Sequence, residues 1–534
     1  MTTTSTPGPA GTPGAPGSPG TQQDRLPGVL RALAVVERLG NALPHPFWLF
    51  WILAGILGVV SAVLAAAGVS VVSPADGEEV VVQNLLSGDG LAMAVSTAID
   101  NFATFGPMGT IVAVIMGVAI AERTGFLSAA MKVSVSRVPV SWVVFAVAFA
   151  GTVSHVASAA AYIILVPLGG LAFRAVGKSP ILGVVVAYTS IASGYDASPV
   201  PTPNDAIFAG ITTEAARIID PSAYVSPVSN WFFNIGSSLL LAIVITLVTN
   251  LVLAKRPDLD ADLDADPDAD PDADLDDVEG LELSPRDRSA LRAALVSGLV
   301  AVGVIAALVL PPSSPLRGEG GSLTESPFLD GIAAIVAVLF ALVGIVYGWR
   351  SGAITMAGDV PRLMAEGVRQ MAPVLVLFFA IAQFLAYFDW THIGDVIAVN
   401  SAEALESTGV PIWVVFLAIL ALLSLVNVLV TSGSAMWAIA APIVVPMLML
   451  LDVPAETTQA LFRIADSGST SITPMSPYFI MALGFLQRYR RSAGIGTLAS
   501  YTLPLAVCMT LAWTLLFFAW WALGIPLGPG APVR

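Results

Sequence analysis

The chain has 534 residues, 56% of them hydrophobic and only 11% charged, with a mean hydropathy of +0.82. This excludes a soluble globular protein, and apolar runs of about 20 residues recur along it, the mark of a polytopic helical membrane protein. The formal charge of −15 would suggest basic partners, but 11 aspartates lie between Asp258 and Asp277 and the rest of the chain carries only −4.

Residues 1–40 are polar, begin in a Pro/Gly/Ser/Thr-rich run without an apolar core, and read as a disordered cytoplasmic tail rather than a cleavable signal. From there, apolar runs and Lys/Arg positions give one consistent topology under the positive-inside rule. Arg25, Arg31 and Arg38 keep the N-terminus inside, and a first span over about Pro46 to Gly68 leads to an external loop with Glu78 and Glu79. A second span ending near Ala121 returns to Arg123, Lys132 and Arg137. The stretch 138–175 starts and ends beside basic residues, so it enters and leaves on one side as a re-entrant hairpin. A third span (about Ile181 to Gly210), interrupted around 194–205, crosses outward, and a fourth (Trp231 to Ala254) closes a first half over 44–254.

The loop 255–288 carries the acidic tract; it lacks the glycine and terminal glutamate of an EF-hand loop and reads as a solvated, disordered linker. A second half, 289–524, holds the fifth and sixth spans (about Leu291 to Leu310 and Asp330 to Tyr347) and a seventh over Pro373 to Tyr387. It continues with a second hairpin over 411–452, an eighth span (Thr457 to about Phe485) interrupted around 466–477, and a ninth (Leu498 to Leu523). Residues 525–534 then form an external tail. The expectation is an all-α protein of nine transmembrane helices and two re-entrant hairpins.

The two halves repeat each other. VPVSWVVF (Val138 to Phe145) returns as VPIWVVF (Val410 to Phe416), each followed by a small polar tip, HVASAA from His155 and TSGSA from Thr431. Pro167 matches Pro442, Pro180 matches Pro454, and Ser193-Gly194 matches Ser467-Gly468. The first copy starts on the basic side and the second on the side without Lys or Arg, which makes the repeat inverted, as in secondary transporters whose site lies where discontinuous helices meet. The interruptions GYDASPVPTPND and GSTSITPMSPY fit this, because proline frees backbone groups that membrane depth tolerates only around a cavity or ligand.

The candidate residues follow from rarity. Arg463 and Asp466 lie at i, i+3, where either a structural ion pair or a functional pair accounts for them; the preferred reading gives Asp466 the coupling cation or proton and Arg463 either Asp466 or a substrate carboxylate. Asp205 is read as a second coupling site or as a helix cap, and Asp196 is a further candidate. Asn427, inside LLSLVNVLVT, bridges helices or offers its carbonyl to Na⁺. Ser432, Ser434 and Trp437 occupy the second hairpin's tip, where Trp437 stacks on an aromatic substrate or sits at an interface belt, and Ser467 is one of the hydroxyls offered at the second interruption. His155 beside Ser154 and Ser158 has no nearby acid, so an enzyme is not expected, and the lone Cys508 excludes an internal disulfide or multi-cysteine metal cluster. No cofactor or metal is expected beyond Na⁺ or H⁺ as coupling ion, and no nucleic-acid partner.

The runs SGSAMWAIAAPIVVPMLMLL, TTQALFRIADSGSTSITPMSPYFIMALGFLQRYRRSAGIGTLAS and LGIPLGPGAP, with HVASAAAYIILVPLGGLAF and AGITTEAARIIDPSAYVSPVSNWFF, resemble the p-aminobenzoyl-glutamate transporter (AbgT) family over roughly Pro44 to Pro532, the acidic loop apart. The resemblance implies a homodimer in the bacterial inner membrane that takes up p-aminobenzoyl-glutamate or exports sulfonamide antimetabolites on a cation gradient. It also implies roles for Asp205, Asn427, Ser434, Trp437, Arg463, Asp466 and Pro474. A di- or tricarboxylate carrier of related architecture is the alternative, and a channel the remote one. The chain departs from the family pattern in ASAAAY, where Ala159 replaces an acid, and in YDAS and NDAIFAG, where Asp196 is new.

Overall fold

The computed structural model describes residues 44–72, 79–136, 138–256, 259, 283–323 and 326–534. The predicted N-terminal tail and nearly all of the acidic tract lie outside the described residues.

In chain order, α1 (Pro46–Ala66) leads into a short antiparallel ribbon of β1 (Ser70–Val72) and β2 (Glu79–Val81), in which Val71 pairs with Val80. Then come α2 (Gly88–Ser96), α3 (Ala98–Ala103), α4 (Pro107–Arg123) and α5 (Phe126–Ser136). A helix–turn–helix follows, α6 (Val143–Val153) and α7 (Ser158–Ala175), joined by a 3-10 turn over Ser154–Ala157. Next are α8 (Pro180–Ala192), α9 (Pro203–Ala216) and α10 (Trp231–Leu251).

The second half opens with α11 (Pro285–Val309), α12 (Pro327–Asp330), α13 (Ile332–Ser351), α14 (Asp359–Trp390) and α15 (Ile393–Thr408). It closes with a second helix–turn–helix, α16 (Ile412–Asn427) and α17 (Gly433–Met449), and with α18 (Ala455–Thr470), α19 (Pro477–Tyr489) and α20 (Ile495–Leu523). The protein is a helical membrane protein. Eight segments among the described residues are long and apolar enough to cross a bilayer. Seven coincide with the predicted unbroken spans, and the eighth, Val140–Ala157, is the first arm of the predicted hairpin.

The interruptions have a plain local cause. Proline suits the first turn of a helix, where its missing N–H costs nothing, but not a helix interior. After Ala192, Pro199, Pro201 and Pro203 forbid continuation, and α9 restarts at Pro203 behind a capping box. There the Thr202 hydroxyl accepts from the Asp205 N–H while the Asp205 carboxylate accepts from the Thr202 N–H. After Thr470, Pro474 and Pro477 do the same, and α19 restarts behind Ser476. Asp466 and Ser467 therefore sit in the last turns of α18, not inside the interruption as predicted; α18 runs on, with the Thr470 hydroxyl bonding the Asp466 carbonyl at 2.7 Å.

Packing ties the two halves together by exchange. The second half-helix of the first interruption, α9, packs on α17 of the second helix–turn–helix, and α19 packs on α7 and α8 of the first half. Proline falls inside both inner arms, Pro167 in α7 and Pro442 in α17. All 13 residues of α8 are buried, and so are 14 of the 16 in α18, although α18 carries Glu456, Arg463 and Asp466. Protein, not lipid, surrounds this polar helix, which is the condition for keeping such residues at membrane depth. By contrast α11 buries four residues and turns Leu295, Leu299 and Val300 outward, the pattern of a lipid-facing helix.

Candidate functional site

The two interruptions meet. The Ser193 hydroxyl donates to the Ser471 hydroxyl at 2.6 Å, and the Asp196 backbone N–H donates to the Ser467 hydroxyl at 3.0 Å, so the end of α8 is bonded directly to the end of α18.

At this junction Arg463, 1% exposed, ion-pairs with Asp205 at 2.8 Å. Its Nε donates to Asn230 Oδ1 at 3.0 Å, and its Nη1 reaches the Asp196 carbonyl at 3.5 Å. The predicted Arg463–Asp466 pair is thus replaced by a pair across the two halves. The reason is geometric: the capping box fixes Asp205 with one oxygen on Thr202, which leaves Oδ1 turned to the guanidinium. Asp205 is the helix cap that the sequence offered as one of its two readings, and it is also the ion-pair partner of Arg463, which the sequence did not offer. A buried charge unpaired here would cost several kcal/mol, so the pair and Asn230 are mutually required.

Next to this pair lies a cavity of about 390 Å³ between the halves. Three helix N-termini open on it: Asn204 and Ile207 of α9, Ser432, Gly433 and Ser434 of α17, and Ser476, Pro477 and Tyr478 of α19. Each brings backbone N–H groups and the positive end of a helix dipole, a setting for an anionic group. Tyr162 and Tyr478 stack with ring centroids 4.1 Å apart and an interplanar angle of 3°, and with Tyr195 and Phe208 they give the cavity aromatic walls. The Tyr162 hydroxyl is buried with no hydrogen-bond partner among the described residues.

Of the ten predicted residues, Ser432, Ser434 and Asp466 line this cavity. Arg463, Asp205, Asp196 and Ser467 form the buried layer beside it. Asn427 closes the tip of α16: its amide donates to the Asp466 carbonyl and, at 3.0 Å, to the Ser469 hydroxyl, and so links α16 to α18, while its buried Oδ1 has no partner among the described residues. Pro474 is buried in the turn between α18 and α19. Trp437 is not among the residues that line the cavity: it is fully buried, its indole N–H donates to Thr212 at 2.9 Å, and its ring stacks on Phe462 at 4.4 Å. Neither an interface belt nor an open platform for an aromatic substrate describes it. Asn230 and the three tyrosines were not singled out from sequence. Asn230 follows a run of small polar residues, SPVSNW, and only the position of the Arg463 guanidinium gives it meaning.

A larger cavity, about 530 Å³, lies at the far end of α9 and is lined by Glu214, Arg217, Asp389, His392 and Asp395. There the hydrogen bond to Asp395 holds the His392 imidazole above its usual pKa.

The sequence profile of the AbgT putative transporter family matches residues 31–534. The chain belongs to the AbgT transporter family. It is 38% identical over 496 residues to the p-aminobenzoyl-glutamate transport protein of Escherichia coli strain K12, covering 93% of this chain and 95% of that one. Two solved structures share its fold. The crystal structure of the YdaH transporter of Alcanivorax borkumensis, described as having an unusual topology, superposes with a TM-score of 0.83 at 36% identity over 91% of this chain and 100% of that one. Neisseria gonorrhoeae MtrF, described as illuminating a class of antimetabolite efflux pumps, superposes with a TM-score of 0.87 at 37% identity over 94% of this chain and 100% of that one. The protein is therefore a multi-pass membrane transporter of the AbgT family, carrying a small molecule.

Proposed function

We propose that this AbgT-family protein is a cation-coupled secondary active transporter of aromatic carboxylates of the p-aminobenzoyl-glutamate kind, and of related sulfonamide-type antimetabolites. The observation that carries the reading is the cavity between the interruptions, where three helix N-termini and a stacked tyrosine pair converge beside Asp466. An aryl ring fits the aromatic wall, and the carboxylates fit the N-terminal amides and the hydroxyls of Ser432, Ser434 and Ser476. In this reading the chain crosses the bacterial inner membrane nine times, with α6/α7 and α16/α17 as re-entrant hairpins. The N-terminus is cytoplasmic, the C-terminus lies outside, and two copies form a homodimer. Asp466 carries the coupling ion, and the Arg463–Asp205 pair holds the two halves in register at the site.

The test is uptake and counterflow of radiolabelled p-aminobenzoyl-glutamate in proteoliposomes, with pH and Na⁺ gradients imposed separately. The expected result is saturable flux that follows one of the two gradients and is lost in Asp466→Asn. Flux that is non-saturable and indifferent to both gradients would indicate a channel. Flux of simple dicarboxylates with none of the aromatic compound would indicate the carboxylate carrier instead.

A further inference from the structure

We infer that the basic ends of α11 and α13 form a binding site for an anionic phospholipid, which sets its phosphate on Arg288, Arg292 and Arg350 and its hydrocarbon on the apolar stripe beneath them. The inference stands apart from the transported compound and takes from the reading above only the leaflet, the cytoplasmic one, on which these ends lie.

α11 and α13 pack along each other, and a cleft of about 470 Å³ opens where α11 begins and α13 ends. Arg288, Ser289, Arg292, Ala293 and Val296 line it from α11, and Arg350 lines it from α13. Arg288, Arg292, Val296 and Val300 follow one another at i, i+4 spacing, so they lie on one face of the helix with a rise of about 6 Å at each step. The stripe therefore changes from cation to hydrocarbon within a single turn. Below the change the face looks outward from the protein: Val296 is 59% exposed, and Leu299 and Val300 are exposed as well. Trp349, next to Arg350, is 71% exposed, a placement that suits the bilayer interface and puts the arginines at the level of the headgroups.

The positive charge is not compensated from within. Asp287, the acid of the first turn of α11, is engaged by other groups: its Oδ2 accepts from the Ser284 hydroxyl at 2.7 Å and its Oδ1 from the Tyr347 hydroxyl at 3.3 Å. No acid lines the cleft, and none of the three arginines has an ion-pair partner among the described residues. Their contacts orient them without using them up. Arg350 Nη2 donates to the Ser289 hydroxyl at 3.2 Å, which directs this guanidinium of α13 across to α11, and Arg288 Nη2 donates to the Leu283 carbonyl at 3.4 Å. Arg286 fixes the joint between the helices: its Nε donates to the Arg350 carbonyl at 3.1 Å, and its guanidinium lies over Gly352, where a Cβ would collide with it. A guanidinium carries five N–H donors in a fork that fits phosphate oxygens, so most of the donors on Arg288, Arg292 and Arg350 remain for one.

A phospholipid with a charged headgroup matches both parts of the stripe, as basic pockets between membrane helices do elsewhere. The aspartates between Asp258 and Asp277, which precede α11 in the chain, supply charge for the arginines but nothing for Val296 and Val300, and free phosphate has the same shortfall. A second copy of this chain set on the same face would bring arginine against arginine.

Native mass spectrometry of the delipidated full-length protein in detergent, titrated with phosphatidylglycerol or with phosphatidylcholine of the same acyl chains, reads the site. Phosphatidylglycerol should bind more tightly by about tenfold or more. Arg288→Gln/Arg292→Gln/Arg350→Gln should abolish that preference, at about fivefold per arginine. Lys178→Gln/Arg369→Gln/Arg488→Gln, which removes as much exposed positive charge from elsewhere on the same side, should keep it. Val296→Asn should weaken the bound lipid, and inorganic phosphate in large excess should not displace it. Arg292→Gln alone, an exposed substitution, should cost about fivefold and serves if the triple variant fails to fold. Changing the aspartates between Asp258 and Asp277 to asparagine should leave the affinity as it was. Equal affinity for the two lipids, an undiminished preference in the triple variant or in Arg292→Gln, an equal loss in the charge-matched variant, unchanged binding in Val296→Asn, or displacement by phosphate would each overturn the inference. So would a large gain in affinity on neutralising the aspartates, which would make that tract the occupant. No transported compound enters the measurement, so failure of the transport reading would leave its result standing.

Discussion

Asp205 shows how one side chain serves two structures at once. Its Oδ2 closes the first turn of α9 through Thr202 and its Oδ1 neutralises Arg463 of the other half. Removing either member leaves a buried charge with no counter-ion, at a cost of about 3–5 kcal/mol, and Asp205→Ala adds about 1 kcal/mol for the lost cap. Arg463→Ala and Asp205→Ala should each destabilise by these amounts, while the double variant should cost clearly less than their sum, because neither charge then remains alone. Denaturant or thermal unfolding of the purified protein measures this, and strictly additive costs would show that the two do not act as a unit. Arg463→Lys should also fail, since a single ammonium cannot hold both Asp205 and Asn230 in the guanidinium's geometry. The charged residues themselves were legible in the sequence, because an acid or an arginine inside an apolar run is rare enough to demand a reason. Their partners were not. The i, i+3 spacing pointed from Arg463 to Asp466, and only the folded contact between the halves brings Asp205 within 2.8 Å instead. Trp437 misled in the same way, since position in the chain says nothing about which ring or hydroxyl will meet its indole.

At the scale of elements, the long apolar helices and the positions of the interruptions could be read from hydropathy and proline alone, because each depends on local chemistry. What escaped were elements without such a signal. The run over α5 is cut by Lys132, and α15 has no apolar stretch of membrane length yet buries Ile393, Ala398, Val399 and Ala402. The start of α17 depends on a close approach that no propensity scale records: a Cβ at Gly433 would collide with the Asp466 carboxylate. Gly433→Ala should therefore push α17 and α18 apart at the site. Overpacking of this kind costs about 1–3 kcal/mol, which corresponds to roughly a tenfold or greater loss of transport if the cost falls on the active arrangement. Gly484→Ala, with open space around its Cβ, should leave the rate near wild type. Initial rates of p-aminobenzoyl-glutamate uptake at matched reconstitution levels make the comparison, and equal rates for the two variants would remove Gly433 from the account.

For the molecule as a whole, the exchange of half-helices is the decisive arrangement. Because α9 rests on α17 and α19 rests on α7, neither half can tilt without shifting the other's contribution to the cavity. The contact that should change most is the one between the two interruptions, and Ser193 and Ser471 mark it, with their hydroxyl oxygens 2.6 Å apart. Replacing both with cysteine in a Cys508→Ser background places two thiols where a disulfide can form. If alternating access proceeds by separating the interruptions, oxidation of Ser193→Cys/Ser471→Cys should stop p-aminobenzoyl-glutamate counterflow in proteoliposomes, and a reductant should restore it. Each single-cysteine variant should be indifferent to oxidant. Full counterflow by a completely cross-linked protein would mean that the interruptions stay together through the cycle. Movement would then have to be sought in the outer helices α11 and α13 or in the cavity at the far end of α9, and the junction between the interruptions would be a fixed structural joint rather than one that opens.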